Sequence, residues 1–551
     1  MVEGVYMKSK LLMTSMSTIL GLYGLLILFL LIVFSIAGWS LNYLLLVSII
    51  VLVLQFLLAP FFMDLTMKWL YKVKFEEDLP DYLIEFITKI CEKNKMKYPK
   101  IGFINDGSPN AFTYGRTKND ARIILTKGIF DLLSEDEVKT VVAHEIGHAV
   151  HYDMFLMTAV QIVPLILFYL YDMTLTSASD GDKDSGKTAL IGVIAYILYI
   201  VSEYVILWFS RTREYYADEF AVIETENPNA LASALVKIGY GLTTANKPQV
   251  KENNDEKRAK KKNKKSHVSS VSALGIFDAK SSKSLVVSSF DNGSISKDNI
   301  KKAARWELWN PWAKWYEFNS THPLISKRIK AVCCYCDKYN QKEYIKFDEN
   351  QPESYVDDFI LEIFIKFLPY LVIVIFFLIG LFSIDIISNY SLFIGIGIVT
   401  FSLSLFVYYI RSHKNKDYKK MKVADLLSEV KVSGVTSIPC IINGQIIGKG
   451  DPGYIFSEDF VLKDDTGIMF VDYNQPLAFF NMMFALLKSK KYINKNVEIK
   501  GWYRRSPIPY IEIYTITLDG VTKKCHTYGF TKIIIIILLI IGIILSVFSV
   551  L

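Results

Sequence analysis

Residues 134–151 read SEDEVKTVVAHEIGHAVH and hold His144, Glu145 and His148 in the pattern HExxH. Two helical residues four apart lie on one face, so both imidazoles can hold a single ion. Glu145 is turned away from that face and reaches a water on the ion rather than the ion itself. Zinc with three protein ligands keeps a position for water and lowers its pKa to about 7, where a carboxylate base makes it a nucleophile. The chemistry this spacing allows is hydrolysis. Ser134 and Glu137 form the signature of a capping box, which starts the helix there.

A third ligand is required, and the sequence offers two candidates. His151 stands seven residues beyond His144, on the same face but a further turn along, which reads as a rim position. Glu214 and Asp218, in SRTREYYADEF (Ser210–Phe220), are four apart on one face. One carboxylate can bind zinc while the other accepts a hydrogen bond from a ligand histidine and fixes its tautomer. An acidic pair on a solvated helix has the same spacing.

The elements that must position these groups belong to an oily chain. Of 551 residues, 52% are hydrophobic and 21% charged, which excludes a fully soluble, disordered or collagenous protein. The apolar residues gather in uncharged stretches long enough to cross a bilayer core. Seven spans are expected, at 17–37, 42–62, 154–171, 188–209, 367–384, 391–410 and 533–551, the third interrupted by Pro164. Lys8 and Lys10 precede the first span without a small-residue cleavage site, so it reads as a retained anchor. The short links are uncharged or acidic, whereas segments 63–153, 210–366 and 411–532 are rich in Lys and Arg. The positive-inside rule then places the N-terminus and all three long segments on the cytoplasmic side of a cell membrane, with the C-terminus outside. Net charge is a modest +7, and the six cysteines lack the paired spacing of a secreted framework.

The expected organisation is a transmembrane hairpin (1–62), a first catalytic segment (63–153) and two spans (154–209). A second catalytic segment (210–355) follows, with a Lys/Ser-rich insert at 246–300 expected to be disordered. Two further spans (356–412), a β domain (413–529) and a last span (530–551) complete the chain. In the β domain, alternating runs separated by Gly, Pro and Asp turns, with a helix-like stretch at 477–489, suggest an OB-like barrel. Trp502, Tyr503, Arg504 and Arg505 have the types of a single-strand platform, but a structural or docking barrel is preferred and no nucleic acid is expected.

NAFTYG (Asn110–Gly115), HEIGH, SRTREYYAD and STHPLISKRI (Ser320–Ile329) together resemble the HtpX-type membrane metalloproteases, relatives of the CAAX prenyl endopeptidases. The resemblance covers about residues 1–350. It implies a multi-pass helical membrane protein with a cytoplasmic α+β zincin domain of gluzincin type and one zinc ion per chain. It implies His144, His148 and Glu214 as metal ligands, Glu145 as general base and Asp218 as a partner behind a ligand histidine. Asp153 also fits the family pattern, without an evident role. NAFTYG would be the edge strand of the cleft, where Asn110, Ala111 and Phe112 meet an extended peptide. His322 and Arg328 lie where the family carries a His and an Arg, and either stabilise the oxyanion or cap the cleft.

The expected activity is zinc-dependent endopeptidase cleavage, with peptide or membrane-protein substrates, the bilayer as surrounding partner, and membrane-protein quality control as setting. Processing of lipidated, CAAX-like C-termini is the enzymatic alternative. A non-enzymatic scaffold whose β domain recruits partners is the other. Trp306, Trp309, Trp312 and Trp315 recur every third residue and either rest on the membrane surface or are buried. Cys333, Cys334 and Cys336 form a trio with no fourth ligand nearby and read as free thiols.

Overall fold

The computed structural model describes residues 63–69, 72–75, 79–105, 109–178, 185–244, 290–291, 294–348, 350–382, 389–414, 417–449 and 459–550, with scattered positions before 63. The spans expected at 17–37 and 42–62 and most of the insert at 246–300 lie outside them. Residues 297–300, assigned to that insert from the sequence, instead open a helix. The chain divides into two compact units: 1–245, 267–279 and 317–344 form one; 246–266, 280–316 and 345–551 form the other.

The first unit starts with helix α1 (Asp81–Lys93) and strands β1 (Lys100–Ile104), β2 (Ala111–Gly115) and β3 (Ala121–Thr126). The sheet order is β1-β3-β2, with β3 parallel to β1 and antiparallel to β2. The β3 sequence ARIILT has no solvated face, and every residue of it is buried, as a central strand requires. β2 is therefore left at the edge. After α2 (Lys127–Leu132) comes α3 (Glu135–Val150), opened by the expected capping box: Ser134 N donates to Glu137 Oε2 at 2.8 Å. Glu137 also accepts from Ser233 Oγ at 2.6 Å and Lys237 Nζ at 2.8 Å, which ties α3 to α6 (Pro228–Thr244).

Between these lie α4 (Asp153–Ala178) and α5 (Ser185–Thr225), antiparallel partners packed through Val160, Val163, Leu167, Ala195 and Phe209. Pro164 sits inside α4 without ending it. α5 does not stop at 209, where the apolar run ends. It continues as one helix to Thr225, so Glu214 and Asp218 ride on the extension of an apolar segment.

The second unit contains α7 (Lys297–Trp309), the long apolar helices α8 (Val356–Phe382), α9 (Tyr390–Ser412) and α11 (Thr527–Phe548), and a β-barrel. Among the described residues, five helices are long and apolar enough to cross a membrane: α4, α5, α8, α9 and α11. The barrel strands are β4 (Ile438–Lys449), β5 (Phe460–Lys463), β6 (Ile468–Asp472), β7 (Asn496–Arg505) and β8 (Pro509–Leu518). They pair in the cycle β4-β5-β6-β8-β7-β4, which leaves no open edge; only β6 and β8 run parallel. A Cβ at Gly501, on the bulge of β7, would stand 2.1 Å from the Glu512 carbonyl oxygen, so the closure needs glycine there. Helix α10 (Ala478–Leu487) joins β6 to β7, and β9 (Val521–Lys524) forms a hairpin with β8.

The tryptophan series divides. Trp306 and Trp312 are buried, with Trp306 Nε1 donating to the Val432 carbonyl and Trp312 Nε1 to Glu362, whereas Trp315 is exposed. Burial therefore replaces the membrane-surface reading for the two inner residues. Trp502, Tyr503, Arg504 and Arg505 are all buried too, so they present no stacking platform to a nucleic acid strand.

Candidate metal and active site

α3 and α5 cross closely because small residues face each other. Ala143, Ala217 and Ala221 are fully buried, and a Cβ on Gly147 would lie 3.3 Å from the Ala217 Cα. This contact brings Glu214 to the histidine face of α3. His144 Nε2 and His148 Nε2 are 3.2 Å apart, and each lies 3.7 Å from a Glu214 carboxylate oxygen. Ligands on a tetrahedral ion with bonds of about 2.0–2.1 Å stand about 3.3 Å from one another. The three side chains thus enclose a space of the right size for one ion, and among the described residues they are the one such group.

The outer contacts agree. His148 Nδ1 is 2.7 Å from Asp153 Oδ2, and His144 Nδ1 is 3.0 Å from Asp218 Oδ1. A carboxylate at Nδ1 holds the proton there and leaves the Nε2 lone pair for the ion. Asp153 is anchored by Arg213 Nε at 3.0 Å. Arg328 donates to both Asp218 oxygens, at 2.7 and 2.8 Å, and its Nη1 lies 3.2 Å from Glu214. His322 Nδ1 lies 3.3 Å from the same Glu214 oxygen.

Charge points the same way. Glu145, Asp153, Glu214 and Asp218 are buried carboxylates, faced by two buried guanidiniums, Arg213 and Arg328. With neutral histidines the cluster carries two excess negative charges, which a divalent cation offsets. Burial lowers the His148 imidazole pKa, but the Asp153 hydrogen bond and the charges of Glu214, Asp153 and Glu145 outweigh it and raise the pKa above its ordinary value.

Glu145 is buried beside this space. The Thr113 hydroxyl of β2 lies 2.6 Å from its Oε2 and 3.1 Å from its backbone carbonyl, so one proton serves one of the two at a time. β2 is held in register by Asn110, whose backbone pairs with Thr126. Asn110, Ala111 and Phe112 are all buried against the sheet.

Residues 79–333 match the profile of peptidase family M48. A Protease HtpX homolog of Methanothermobacter thermautotrophicus is 39% identical over 193 residues, covering 35% of this chain and 71% of that protein. A Protease HtpX homolog of Picrophilus torridus is 35% identical over 219 residues, covering 39% of this chain and 69% of that one. The chain belongs to peptidase family M48. Among solved structures, the crystal structure of S. mikatae Ste24p aligns with 60% of this chain and 67% of that one at 17% identity, with a TM-score of 0.31.

In this M48 protease the predicted residues His144, His148, Glu214 and Asp218 meet at one point, and Glu145 stands beside them. His151 does not join: its ring packs edge-on against Phe220 and Tyr216. Arg328, expected at an oxyanion or as a cap, has its guanidinium against two carboxylates. The reading from sequence missed Thr113 and Arg213 and left Asp153 without a role. Thr113 and Arg213 lie inside NAFTYG and SRTREYYAD, and alternation along β2 was the available signal for the former. Of the cysteine trio, Cys333 and Cys336 are buried and Cys334 exposed; burial first, then Cys333, pushes the Cys336 thiol up to about 11.

Proposed function

We propose that this M48 protease is a zinc-dependent membrane endopeptidase that cleaves membrane proteins and their exposed segments on the cytoplasmic side, in quality control. The observation that carries the reading is the single space enclosed by His144 Nε2, His148 Nε2 and Glu214, with Glu145 alongside. His144, His148 and Glu214 would hold one zinc ion, which when bound supplies Lewis acidity to a carbonyl and to a water.

The chain's own residues do the rest. Asp153 and Asp218 hold the histidine tautomers, while Arg328 and His322 hold the Glu214 carboxylate in place. Arg328 is thus a positioning residue. Thr113 orients Glu145, whose carboxylate takes a proton from the attacking water and passes it to the departing amine nitrogen. A peptide in extended form would add to β2, the edge strand, near Asn110, Ala111 and Phe112, aligning its scissile bond. The sheet, the HExxH helix and the Glu helix support a zincin fold of gluzincin type. The cycle of five strands with a helix between the third and fourth supports an OB-type barrel. Seven spans, with the long basic segments inside, is the topology the Lys and Arg distribution favours.

The test is metal analysis of the purified chain, paired with a chelator-sensitive assay on an unmodified membrane substrate and on a prenylated peptide. Glu145→Gln should retain one zinc per chain and lose at least about a thousandfold in activity. Full activity in that variant, or cleavage confined to the prenylated peptide, would remove the proposed function.

A further inference from the structure

Helix α10 (AFFNMMFALL) buries little of itself against its own barrel. Phe484 anchors it, stacked on Tyr473 with ring centroids 3.7 Å apart and edge-on to Phe460. The flanking side chains point away: Phe479 and Phe480 are 58% and 51% exposed, and Leu487 is 67% exposed. Ile533 and Ile537 on the apolar helix α11 are exposed to the same degree, 55% and 50%. At ten residues α10 is about 15 Å long, too short to cross a core of about 30 Å. A helix apolar on nearly every face is not stable against water.

Its position within the second unit indicates what covers it. The segment just before α10 is hydrogen-bonded to the start of α11: Thr527 Oγ1 donates to the Asn474 carbonyl at 2.7 Å, and His526 N donates to Gln475 Oε1 at 3.1 Å. Gln475 N in turn donates to Asn481 of α10 at 2.7 Å. After Lys532, α11 carries no further charge, so α10 begins beside the end at which α11 enters the bilayer.

Lysines gather beside α10. Lys488, Lys490 and Lys491 follow it, and Lys523 Nζ lies 5.6 Å from the Phe484 ring centroid. None of the four forms an ion pair among the described residues. Burial, and then the charges of Lys491 and Lys488, lower the Lys523 ammonium pKa from its ordinary value.

We propose that α10 is an interfacial membrane anchor, its Phe, Met and Leu side chains among the acyl chains and Lys488, Lys490 and Lys491 on anionic phospholipid headgroups. An apolar stretch too short to span can lie at the interface, where the acyl chains take its side chains out of water and juxtamembrane lysines add electrostatic attraction. The inference rests on the membrane spans and is independent of the peptidase chemistry.

The full-length chain, in a Cys334→Ser background that removes the exposed cysteine, is reconstituted in nanodiscs of phosphatidylcholine and phosphatidylglycerol. Spin labels are placed singly at Phe480→Cys and Leu487→Cys, with Ile540→Cys on α11 and Asp465→Cys on the β5–β6 turn as lipid and water references. Labels at 480 and 487 should follow Ile540: several-fold more accessible to oxygen, and several-fold less to a water-soluble nickel chelate, than the label at 465. Nickel accessibility equal to that at 465 overturns the proposal. So does protection from both reagents, the signature of a protein partner or second copy on the helix. Replacing Lys488, Lys490 and Lys491 together with Gln should raise nickel accessibility at 487 at least twofold; no change overturns the anionic-headgroup assignment.

Discussion

Asp153 and Asp218 stand against the Nδ1 atoms of the two histidines, at 2.7 and 3.0 Å, and so turn both Nε2 atoms toward Glu214. The same logic makes Asp153 worth a measurable share of metal affinity although it touches no ion. Asp153→Asn should weaken zinc binding about 10–100-fold in equilibrium dialysis, whereas His151→Ala should leave it within a factor of two. Equal losses from the two variants would contradict the assignment of His151 to aromatic packing. Thr113 acts on the base rather than the metal. Removing one orienting hydrogen bond costs about 1–1.5 kcal/mol, so Thr113→Val should lower kcat roughly tenfold at unchanged zinc content. A loss of zinc instead would move Thr113 into a structural role.

At the scale of elements, the site depends on the contact between α3 and α5. A Cβ at Gly147 would already stand 3.2 Å from the Phe220 ring and 3.3 Å from the Ala217 Cα, tighter than ordinary contact. Gly147→Val should force the helices apart, lower the thermal midpoint, and separate Glu214 from the histidines; overpacking of this kind costs about 1–3 kcal/mol. Zinc occupancy, measured on the folded fraction, is expected to fall more steeply than stability. Much of this element was legible beforehand. The capping box at Ser134 and the HExxH face appeared as expected, because both are local rules of helix geometry. The unbroken run of α5 through residue 225 was not, since hydropathy reports where the apolar side chains end and says nothing about where a helix stops.

At the scale of the molecule, five long apolar helices among the described residues commit the chain to a membrane, and the second unit holds a buried polar cluster besides. In the second unit Glu512 accepts from Arg504 Nε at 2.8 Å and lies 3.3 Å from His413 Nε2, and Arg504 donates to the Ser412 carbonyl at the end of α9. Burial alone would raise the Glu512 carboxyl pKa, but His413 and Arg504 outweigh it and bring it down to about 2. A carboxylate pKa depressed in the fold adds stability that is fully present above its unfolded value, about 4.5, and is lost as pH falls toward 2. Glu512→Gln should therefore cost about 2–3 kcal/mol at pH 7 in detergent, and the gap to the parent chain should close below pH 4.5. A gap independent of pH would show that packing, not charge, sets the loss.

The residue order alone determined the local chemistry: which imidazoles share a helix face, which carboxylates are one turn apart, and which stretches are too apolar for water. Helix period and transfer free energy are properties of short segments, so no contact between distant residues was needed to infer them. Only the tertiary structure decided which carboxylate faces which ring, that Arg328 holds Asp218 and Glu214, that Thr113 reaches Glu145, and that Trp306 and Trp312 lie inside. Apart from His148–Asp153, five positions apart, those outcomes join residues tens to over a hundred positions apart, and their partners are chosen by the packing of whole elements around buried charge.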